Sequence, residues 1–267
     1  MHDDVPDSHP RAESLRMRHE VIEGWEKKVV TTAGLFAHGR GEAFNYLLGE
    51  QTIPAAREAM KAAVAMLLLA RAPVLSVNGN VAALVPHDLV ALAGELDARI
   101  EVNLFYREEG REEAIETVLR EAGATEILGL GDVEPATLND LESNRRIVDP
   151  RGIAKADVVM VPLEDGDRTE ALRKAGKKII TIDLNPLSRT AQWAHVTICD
   201  EITRCLPQMI DTAREFKQSM NEEQLKELLS EYDNAKVLSK VISFMRDYLG
   251  RLAEQGVFLD LPMEGDD

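Results

Sequence analysis

The chain has 267 residues, 45% of them apolar, which is enough to bury a sizeable core in one large domain or two small ones. Its 47 acidic and 31 basic residues give a formal charge of −16, which argues against nucleic acid and anionic lipid as partners. No apolar run reaches the roughly 20 residues of a membrane span, and the first residues lack a signal-peptide profile, so we expect a cytoplasmic protein. The two cysteines, Cys199 and Cys205, are interpreted as reduced packing thiols.

Helical periodicity and short apolar runs divide the chain. Residues 1–70 are predicted to form a helical N-terminal segment, whereas apolar runs alternate with helical patterns from residue 71 to residue 210. The predicted strands are 73–78, 99–105, 126–130, 156–163, 177–184 and 195–199, and the predicted helices between them include 87–97, 111–123 and 167–176. The alternation predicts an α/β fold with a mainly parallel sheet of about six strands.

Two segments depart from this alternation. Residues 132–150 are rich in turn formers, and we expect them to form an excursion over the sheet. Residues 211–267 are predicted to form C-terminal helices, with a break near Asp233 and Asn234, and an acidic tail. One apolar face in this segment exceeds what covering a single sheet needs, and we expect it to form a homodimer contact. It contains Leu225, Leu228, Leu229 and Tyr232.

The loop after the first predicted strand has the sequence NGNVAAL and contains Asn78, Gly79 and Asn80. A glycine here lets backbone amides face outward where a helix begins, which is a common position for phosphate or a substrate group. The loop is not GxGxxG, and the chain has no GxxxxGK[ST] motif. A turn in which Asn78 or Asn80 caps the helix is an equally open interpretation.

The loop after the fifth predicted strand, DLNPLSRTAQ, is the stronger phosphate candidate. Asp183 ends the strand, and Ser188, Arg189 and Thr190 open the next helical segment. Hydroxyls beside a guanidinium supply charge-assisted donors, and a carboxylate at a strand end accepts hydrogen bonds from ribose. The alternative is that Ser188 caps the helix and Arg189 is a solvated surface charge.

The loop after the fourth predicted strand, EDGDR, combines three carboxylates with Arg168. One carboxylate is explained as the cap of the following helix, but Glu164, Asp165 and Asp167 together exceed what capping needs. Oxygen ligands on a glycine-containing loop suit Mg²⁺, and they suit the ammonium group of a substrate equally well. We therefore predict that Asp165, Asp167 and Arg168 contact substrate or metal, and both possibilities stay open.

A fourth candidate, GLFAHGRGEAFNYLLGE at 34–50, precedes the sheet. It is predicted to be a glycine-rich turn that carries His38, Arg40 and Glu42 into a helix. The glycines allow close backbone approach around Arg40, which we interpret as a functional residue. His38 is either packed against the helix entry or acts as a base.

These blocks resemble the archaeal phosphopantothenate synthetases, which are 4-phosphopantoate:β-alanine ligases. The resemblance runs from residue 8 to about residue 210, and the tail to residue 255 is compatible with it. This chain has Asn45 where the family more often has aspartate, so no role is assigned there. The blocks that carry it are SHPRAESLRMRHEVIEG (8–24), GLFAHGRGEAFNYLLGE (34–50), VLSVNGNVAALVP (74–86), EVNLFYR (101–107), VPLEDGDRTEAL (161–172) and IDLNPLSRTAQ (182–192).

The resemblance implies a Rossmann-like homodimer that uses ATP and Mg²⁺ to join 4-phosphopantoate to β-alanine through an acyl-adenylate. Its ATP-contacting positions match Arg18, Arg40, Asp183, Leu184, Asn185, Arg189, Thr190, Glu201 and Ile202. The catalytic clamp is expected from Arg40 and Arg189, together with Arg18 and Mg²⁺, and His38 is a candidate base. Arg18, Glu201 and Ile202 rest on the resemblance alone.

Two other classes of function fit the same fold. A nucleotide-sensing module would use the crevice without chemistry, and an oxidoreductase would use it for a dinucleotide. The missing GxGxxG argues against the oxidoreductase. Release of AMP that depends on substrate would separate the ligase from the sensor.

Overall fold

The structure is a computed structural model that describes residues 5–9, 11–131, 133–138 and 143–255. At its centre five strands form a parallel sheet in the order β2-β1-β5-β6-β7, and a separate antiparallel ribbon joins β3 to β4. This confirms the predicted α/β class. The strands are β1 (Pro73–Val77), β2 (Arg99–Val102), β3 (Ala136–Thr137), β4 (Ile147–Val148), β5 (Val158–Met160), β6 (Lys178–Ile182) and β7 (Val196–Ile198).

Helices connect the strands of the sheet, and the first and last regular elements of the described residues are helices. The break predicted near Asp233 and Asn234 falls between the last two helices. The helices are α1 (Ala12–Glu26), α2 (Thr32–Leu47), α3 (Pro54–Leu68), α4 (Gly79–Leu84), α5 (Pro86–Leu96), α6 (Arg111–Glu121), α7 (Gly166–Lys174), α8 (Arg189–Trp193), α9 (Ile202–Ser219), α10 (Glu222–Glu231) and α11 (Asn234–Gln255).

The third predicted strand, 126–130, does not join the sheet as a strand. It contributes one parallel bridge between Leu128 and Glu101. Gly129 follows with a φ of 83° and Gly131 with a φ of 81°, which takes the backbone out of the extended region. The sheet therefore has five strands rather than six. The 132–150 excursion is more regular than expected where it is described, because it carries the β3–β4 ribbon and a 3₁₀ turn at Asn144–Arg146.

The core lies on both faces of the sheet because successive strand residues point to opposite sides. Leu75 and Val77 of β1 belong to the larger cluster, under the α3 and α9 side, whereas Val74 belongs to the smaller one with Leu172 of α7. Cys199 and Cys205 are buried free thiols in the larger cluster, as predicted. Within the described part of the chain, no helix is both long enough and apolar enough to cross a bilayer.

Taken in chain order, the five parallel strands have the spatial order 2-1-3-4-5 of a doubly wound, Rossmann-like sheet. In such a sheet the connections leave in opposite directions from two neighbouring central strands, which here are β1 and β5. A crevice opens at this switch point, beyond the carboxyl ends of the strands. A ligand site is therefore expected between the loops that begin at Asn78 and at Val161.

Candidate active site

A cavity of about 610 Å³ lies at this edge of the sheet, within the usual size of small-molecule sites. Its wall combines α2 with the loops that follow β1, β2, β5, β6 and β7. Most of the sequence-predicted site residues line it, whereas Arg18, Asp167, Arg168 and Ile202 do not. Those that line it are His38, Arg40, Asn78, Asn80, Asp165, Asp183, Leu184, Asn185, Arg189, Thr190 and Glu201.

The loop after β6 is organised around Asp183. One of its carboxylate oxygens accepts a hydrogen bond from the backbone amide of Asn185 at 2.9 Å, and the other accepts one from the Ser188 hydroxyl. Burial raises the pKa of Asp183, while these hydrogen bonds and the charge of Arg40 act in the opposite direction. Thr190 donates its hydroxyl proton to the backbone oxygen of Glu164 at 2.9 Å, which ties this loop to the one after β5.

Arg189 borders the cavity, but its guanidinium binds two carboxylates of α7. Nη1 lies 2.6 Å from Asp167, and Nη2 lies 2.7 Å from Glu170. Its side chain is 59% exposed, so these are surface ion pairs, which are weak and easily exchanged. Ser188 caps the following helix by accepting a hydrogen bond from the Ala191 amide at 2.9 Å. Ser188 is therefore the helix cap that the alternative interpretation of this loop predicted, and Arg189 lies next to the cavity.

The three acids of EDGDR have different roles, although Arg145 lies within ion-pair distance of both Glu164 and Asp165. Asp165 caps α7 by accepting a hydrogen bond from the Arg168 amide at 2.8 Å, and Asp167 pairs with Arg189. Glu164 is almost fully buried and forms ion pairs with both Arg145 and Arg168. Glu164 is thus a buried counterion rather than a cap, which agrees with the expectation that the three acids together exceed what capping needs. Of the three acids, Glu164 and Asp165 line the cavity.

Arg168 was predicted to contact substrate or metal, but it does not line the cavity. Its side chain is fully buried, with Nη1 on Glu164 and Nη2 donating to the Ser76 hydroxyl at 3.1 Å. Burial lowers its pKa to about 10, although the charges of Glu101 and Asp165 oppose this. Because Arg168 holds the carboxylate of Glu164 from beneath, any effect on substrate must pass through that residue.

The glycine-rich segment 34–50 is a helix for most of its length and not a turn. Thr31 caps α2 by accepting a hydrogen bond from the Gly34 amide at 3.3 Å, and Gly34, Gly39 and Gly41 lie inside the helix. Gly34 serves close packing, since a Cβ there would lie 2.4 Å from the Asn80 side chain, whereas a Cβ on Gly41 would make only an ordinary contact with Leu184 at 3.6 Å. The close approach predicted from the glycines is therefore present, but it is made by a helix face.

His38 lies on the cavity side of this helix and is half-buried. Burial lowers the pKa of His38; the charge of Glu42 raises it, and the charge of Arg18 lowers it further. The net effect favours the neutral imidazole near pH 7. Arg40 is exposed at the cavity wall, where its charge acts on Asp183.

Arg18 lies outside the cavity in a cluster on Glu42. Its Nη2 is 2.8 Å from Glu42, which also accepts hydrogen bonds from Arg11 and Ser14, each at 2.6 Å. Burial alone would raise the pKa of Glu42, but the hydrogen bonds and charges of its partners hold it below the ordinary value. This cluster fixes α1 against α2.

The two asparagines of NGNVAAL connect elements. Asn78 caps α4 by accepting from the Val81 amide at 3.1 Å, and its Nδ2 donates to the Pro162 carbonyl at 3.0 Å. Asn80 donates to the Gly34 carbonyl at 2.9 Å. The capping interpretation is confirmed for Asn78. It also links the loops after β1 and β5 across the switch point.

Glu201 begins α9 as its cap, accepting from the Ile202 amide at 3.0 Å, and burial raises its pKa. Ile202 is buried beneath it and does not reach the cavity. Asn45, to which the sequence analysis assigns no role, accepts a hydrogen bond from Arg204 at 2.7 Å. Asn45 is buried, so its amide has a structural partner in this chain.

Sequence reasoning missed two buried arginines that line the cavity, Arg111 and Arg145. Arg111 looked like a surface residue at the start of a charged helix, and Arg145 lay in the turn-rich excursion. In an open α/β sheet, ligands bind at the loops that follow the strand ends, and Arg111 directly follows the loop NLFYREEG after β2. Its position in the sequence is therefore a signal for a site residue. Arg145 has no comparable sequence signal, because long-range packing brings it to Glu164.

No group of three or more histidine, cysteine or carboxylate side chains with metal-site geometry occurs in the described residues. Glu164 is neutralised by two arginines, and Asp165 and Asp183 are separate carboxylates at the cavity wall. This donor set does not form a protein cage for Mg²⁺. It fits an ion carried by phosphates, since Mg²⁺ keeps several waters and typically takes one or two carboxylates beside phosphate oxygens.

Fold and cavity together define a doubly wound α/β protein with a ligand cavity, lined by arginines and carboxylates, at the switch point of its sheet. The chain belongs to the phosphopantothenate/pantothenate synthetase family, whose model matches residues 55–248. This confirms the resemblance seen in the sequence blocks.

Relatives match nearly the whole chain. A 4-phosphopantoate–beta-alanine ligase of Thermococcus kodakarensis is 54% identical over 255 residues, which cover 95% of this chain and 97% of the relative. Proteins of the same name are 48% identical in Methanosarcina mazei and 42% identical in Methanospirillum hungatei. They cover 94% and 92% of this chain and 98% of each relative.

Proposed function

We propose that this protein is an ATP-dependent ligase that joins 4-phosphopantoate to β-alanine, giving 4′-phosphopantothenate, AMP and diphosphate, a step of coenzyme A biosynthesis. The observation that carries the proposal is that Arg40, Arg111, Arg145 and Arg189 all border one cavity in a chain of charge −16. These four guanidinium groups balance the four carboxylates that line the same cavity, Glu164, Asp165, Asp183 and Glu201, and they offer charge-assisted donors to polyanionic substrates. The names of the relatives supply the identity of the substrates.

The first step brings like charges together. A carboxylate oxygen of 4-phosphopantoate attacks the α-phosphorus of ATP, the bond to the bridging oxygen breaks, and diphosphate leaves with that electron pair. At about 5 Å and an effective dielectric near 20, each pair of unit like charges costs about 3 kcal/mol. The cavity arginines offset this repulsion and stabilise the charge that develops in transfer. Holding the two substrates in line supplies much of the remaining rate.

The second step forms the amide. The neutral amine of β-alanine attacks the acyl carbon, the bond to the AMP oxygen breaks, and the nitrogen loses a proton. His38 is the candidate acceptor, because it lines the cavity and burial favours its neutral form. Asp165 is the candidate partner of the incoming ammonium, since it is a carboxylate at the cavity wall.

Nucleotide contacts are proposed for the β6 and β7 side of the cavity. Asp183 and Glu201 offer acceptors for ribose hydroxyls, Arg189 and Thr190 offer donors for phosphate oxygens, and Leu184 and Asn185 line the wall between them. Arg18 and Ile202 lie behind the wall, so their proposed contribution is to position Glu42 and Glu201. Mg²⁺ is proposed to arrive on the ATP phosphates, where it supplies charge neutralisation.

The test is AMP formation with purified protein, 4-phosphopantoate, β-alanine and Mg-ATP, each omitted in turn. The proposal expects AMP, diphosphate and 4′-phosphopantothenate in equal amounts only when all substrates are present. AMP formation at the same rate without 4-phosphopantoate and without β-alanine would contradict the proposal. ATP binding without any turnover would favour the nucleotide-sensing module.

A further inference from the structure

Glu101 is a buried carboxylate of β2 that the proposed reaction does not use. None of its surface is exposed, and it does not line the cavity. Burial raises the pKa of Glu101 to about 7, and the charge of Asp149 acts in the same direction, whereas hydrogen bonds from two backbone amides and the charge of Arg168 oppose them. Burying an ionisable carboxyl is costly, so the groups that contact it indicate its role.

Both oxygens of Glu101 bind the backbone of one segment. Oε1 accepts a hydrogen bond from the Asp149 amide at 3.0 Å, and Oε2 accepts one from the Ile153 amide at 2.5 Å. Gly152 passes so close that an added Cβ would overlap Oε2. These residues belong to the return segment, which we define as residues 143–155 and which leads from the excursion back to β5. One carboxylate of the sheet therefore holds the base of the return segment.

The other end of the return segment reaches the cavity. Its 3₁₀ turn carries Arg145, which lines the cavity and pairs with the buried Glu164. Asn103, two residues after Glu101, donates from Nδ2 to the Arg145 carbonyl at 3.3 Å and to the Ile147 carbonyl at 2.9 Å. Side chains at the carboxyl end of β2 thus hold the return segment at two points.

Arg168 makes a second connection between Glu101 and the cavity. Its guanidinium donates to Glu164 and to the Ser76 hydroxyl, and Ser76 is the register partner of Glu101 on β1. Paired residues on adjacent strands point to the same face of a sheet, and the charges of Arg168 and Glu101 act on each other. Glu101 is therefore linked to Glu164 twice, through Arg168 and through the return segment.

We propose that Glu101 is a positioning residue of the ligase, which holds the return segment on β2 and so keeps Arg145 and Glu164 in place at the cavity wall. This rests on the proposed ligase function. A side chain locked by packing holds a loop in one conformation, and small displacements of a site residue lower the rate strongly. The alternative is that Glu101 contributes to stability alone, and the test separates the two.

The experiment uses two changes that break the same contact from opposite sides. Glu101→Gln keeps the size of the side chain but presents an NH₂ group to one of the two amides. Gly152→Ala leaves the carboxylate in place and displaces the backbone that binds it. Glu116→Gln is the matched control, because Glu116 pairs with Arg120 at the surface of α6. All proteins are assayed at a pH well above 7, where the Glu101 carboxylate is ionised.

Two quantities are measured for every protein. Hydrogen exchange followed by mass spectrometry compares the amides of residues 143–155 with those of β1 and β6, and steady-state kinetics gives kcat and KM for each substrate. We expect exchange in the return segment to become at least about tenfold faster in Glu101→Gln and in Gly152→Ala, with exchange in β1 and β6 unchanged.

The kinetic effect should be selective. In both variants kcat/KM for the organic substrates should fall by about 10- to 100-fold, and KM for ATP should stay within about threefold, because the nucleotide contacts are proposed on the β6 and β7 side. The double variant should lie within about threefold of the weaker single variant, since both changes remove one contact. Glu116→Gln should stay within about twofold of wild type in both measurements.

Three results overturn the proposal. Unchanged exchange in the return segment would show that Glu101 does not hold it, and faster exchange throughout the sheet with a lower melting temperature would make Glu101 a stabilising residue only. Faster exchange of the return segment with unchanged kcat/KM would show that the reaction does not depend on its position. If wild type forms no AMP, the ligase proposal fails together with the catalytic part of this one, and exchange still decides whether Glu101 holds the return segment.

Discussion

Among single residues, Arg189 has two possible roles: it contacts phosphate, or it is a solvated surface charge. It borders the cavity, yet its guanidinium binds Asp167 and Glu170 on the surface. Because exposed ion pairs are weak, a triphosphate that enters the cavity is expected to draw the guanidinium away from them. Its contribution to catalysis is then made only when the substrate is bound.

We predict that Arg189→Ala lowers kcat/KM for AMP formation by about 30- to 1000-fold and leaves the melting temperature near that of wild type. Arg189→Lys should recover part of the activity, since lysine keeps the charge without the planar two-donor fork. Arg71→Ala is the control, because the Arg71 side chain is 91% exposed beside Asp157, outside the cavity. Retention of more than about half the activity in Arg189→Ala would support the solvated charge.

A second residue-scale prediction concerns His38 and pH. If neutral His38 accepts the amine proton, kcat/KM for β-alanine rises with pH as the imidazole loses its proton. Because burial lowers the pKa of His38, the midpoint should lie below the ordinary value of about 6.5, and activity should be lost only as pH falls through that lower value. His38→Gln should remove this acid limb while the protein melts normally. A limb that persists unchanged in His38→Gln assigns the titration to another group.

At the scale of elements, α2 shows that glycines inside one helix have different roles. Gly34 packs against Asn80 and Val30, so an added Cβ would lie 2.4 Å from the Asn80 oxygen and 2.8 Å from Val30. Gly39 has no atom within 4 Å of such a Cβ. Both residues lie inside Thr32–Leu47, where alanine favours the helix over glycine by about 1 kcal/mol.

We therefore predict opposite effects for one chemical change. Gly39→Ala should raise the free energy of unfolding by up to about 1 kcal/mol, and Gly34→Ala should lower it by about 1 to 3 kcal/mol through overpacking. Urea unfolding followed by circular dichroism measures both. Equal shifts in the same direction would mean that α2 does not pack on Asn80 as described.

The strands β1 and β6 were predictable because they are short, mainly apolar runs next to segments with helical periodicity. The strand at 126–130 was predicted from the same apolar signal, but the positive φ of Gly129 limits it to one bridge. The glycines of α2 were also wrongly predicted to form a turn, since sequence alone does not distinguish a glycine in a turn from a glycine in a closely packed helix. The loops after β1, β5 and β6 were correctly placed at the cavity because strand topology dictates their position.

The pairing of Glu164 with Arg145 and Arg168 was out of reach of sequence reasoning. Arg145 and Glu164 meet through folding of the excursion, and no local pattern of charges specifies which acid is buried. A carboxylate cap in this loop was predicted because capping depends on neighbours along the chain, and the structure identifies the cap as Asp165. Local rules thus explained the cap, while long-range electrostatics decided the remaining acids.

In the whole molecule, the surface that was expected to form a homodimer contact is not free. The apolar face of α10 that suggested it is covered by the chain's own core: Leu225 is 7% exposed, and Leu228, Leu229 and Tyr232 pack against that core. Large apolar side chains are exposed elsewhere, however. Ile242 and Leu249, each 43% exposed, lie two turns apart on one face of α11.

We still predict a homodimer, now with the α11 face as a contributing surface. Sedimentation at micromolar concentration should give twice the chain mass, and Ile242→Asp with Leu249→Asp should shift the equilibrium toward monomer. Ser243→Asp, an exposed position on the same helix, is the control. A fully active monomer of the unaltered chain would rule out the dimer.

The proposed ligase reaction transfers one oxygen atom from the acid substrate to AMP, and isotope labelling can follow this transfer. In the proposed reaction a carboxylate oxygen of 4-phosphopantoate bonds to the α-phosphorus of ATP and departs with AMP when the amine attacks. With both oxygens of that carboxylate replaced by ¹⁸O, mass spectrometry should find one heavy oxygen in each AMP and the other in the amide carbonyl of 4′-phosphopantothenate. Heavy oxygen in orthophosphate alongside ADP would instead show an acyl-phosphate route and would contradict the account.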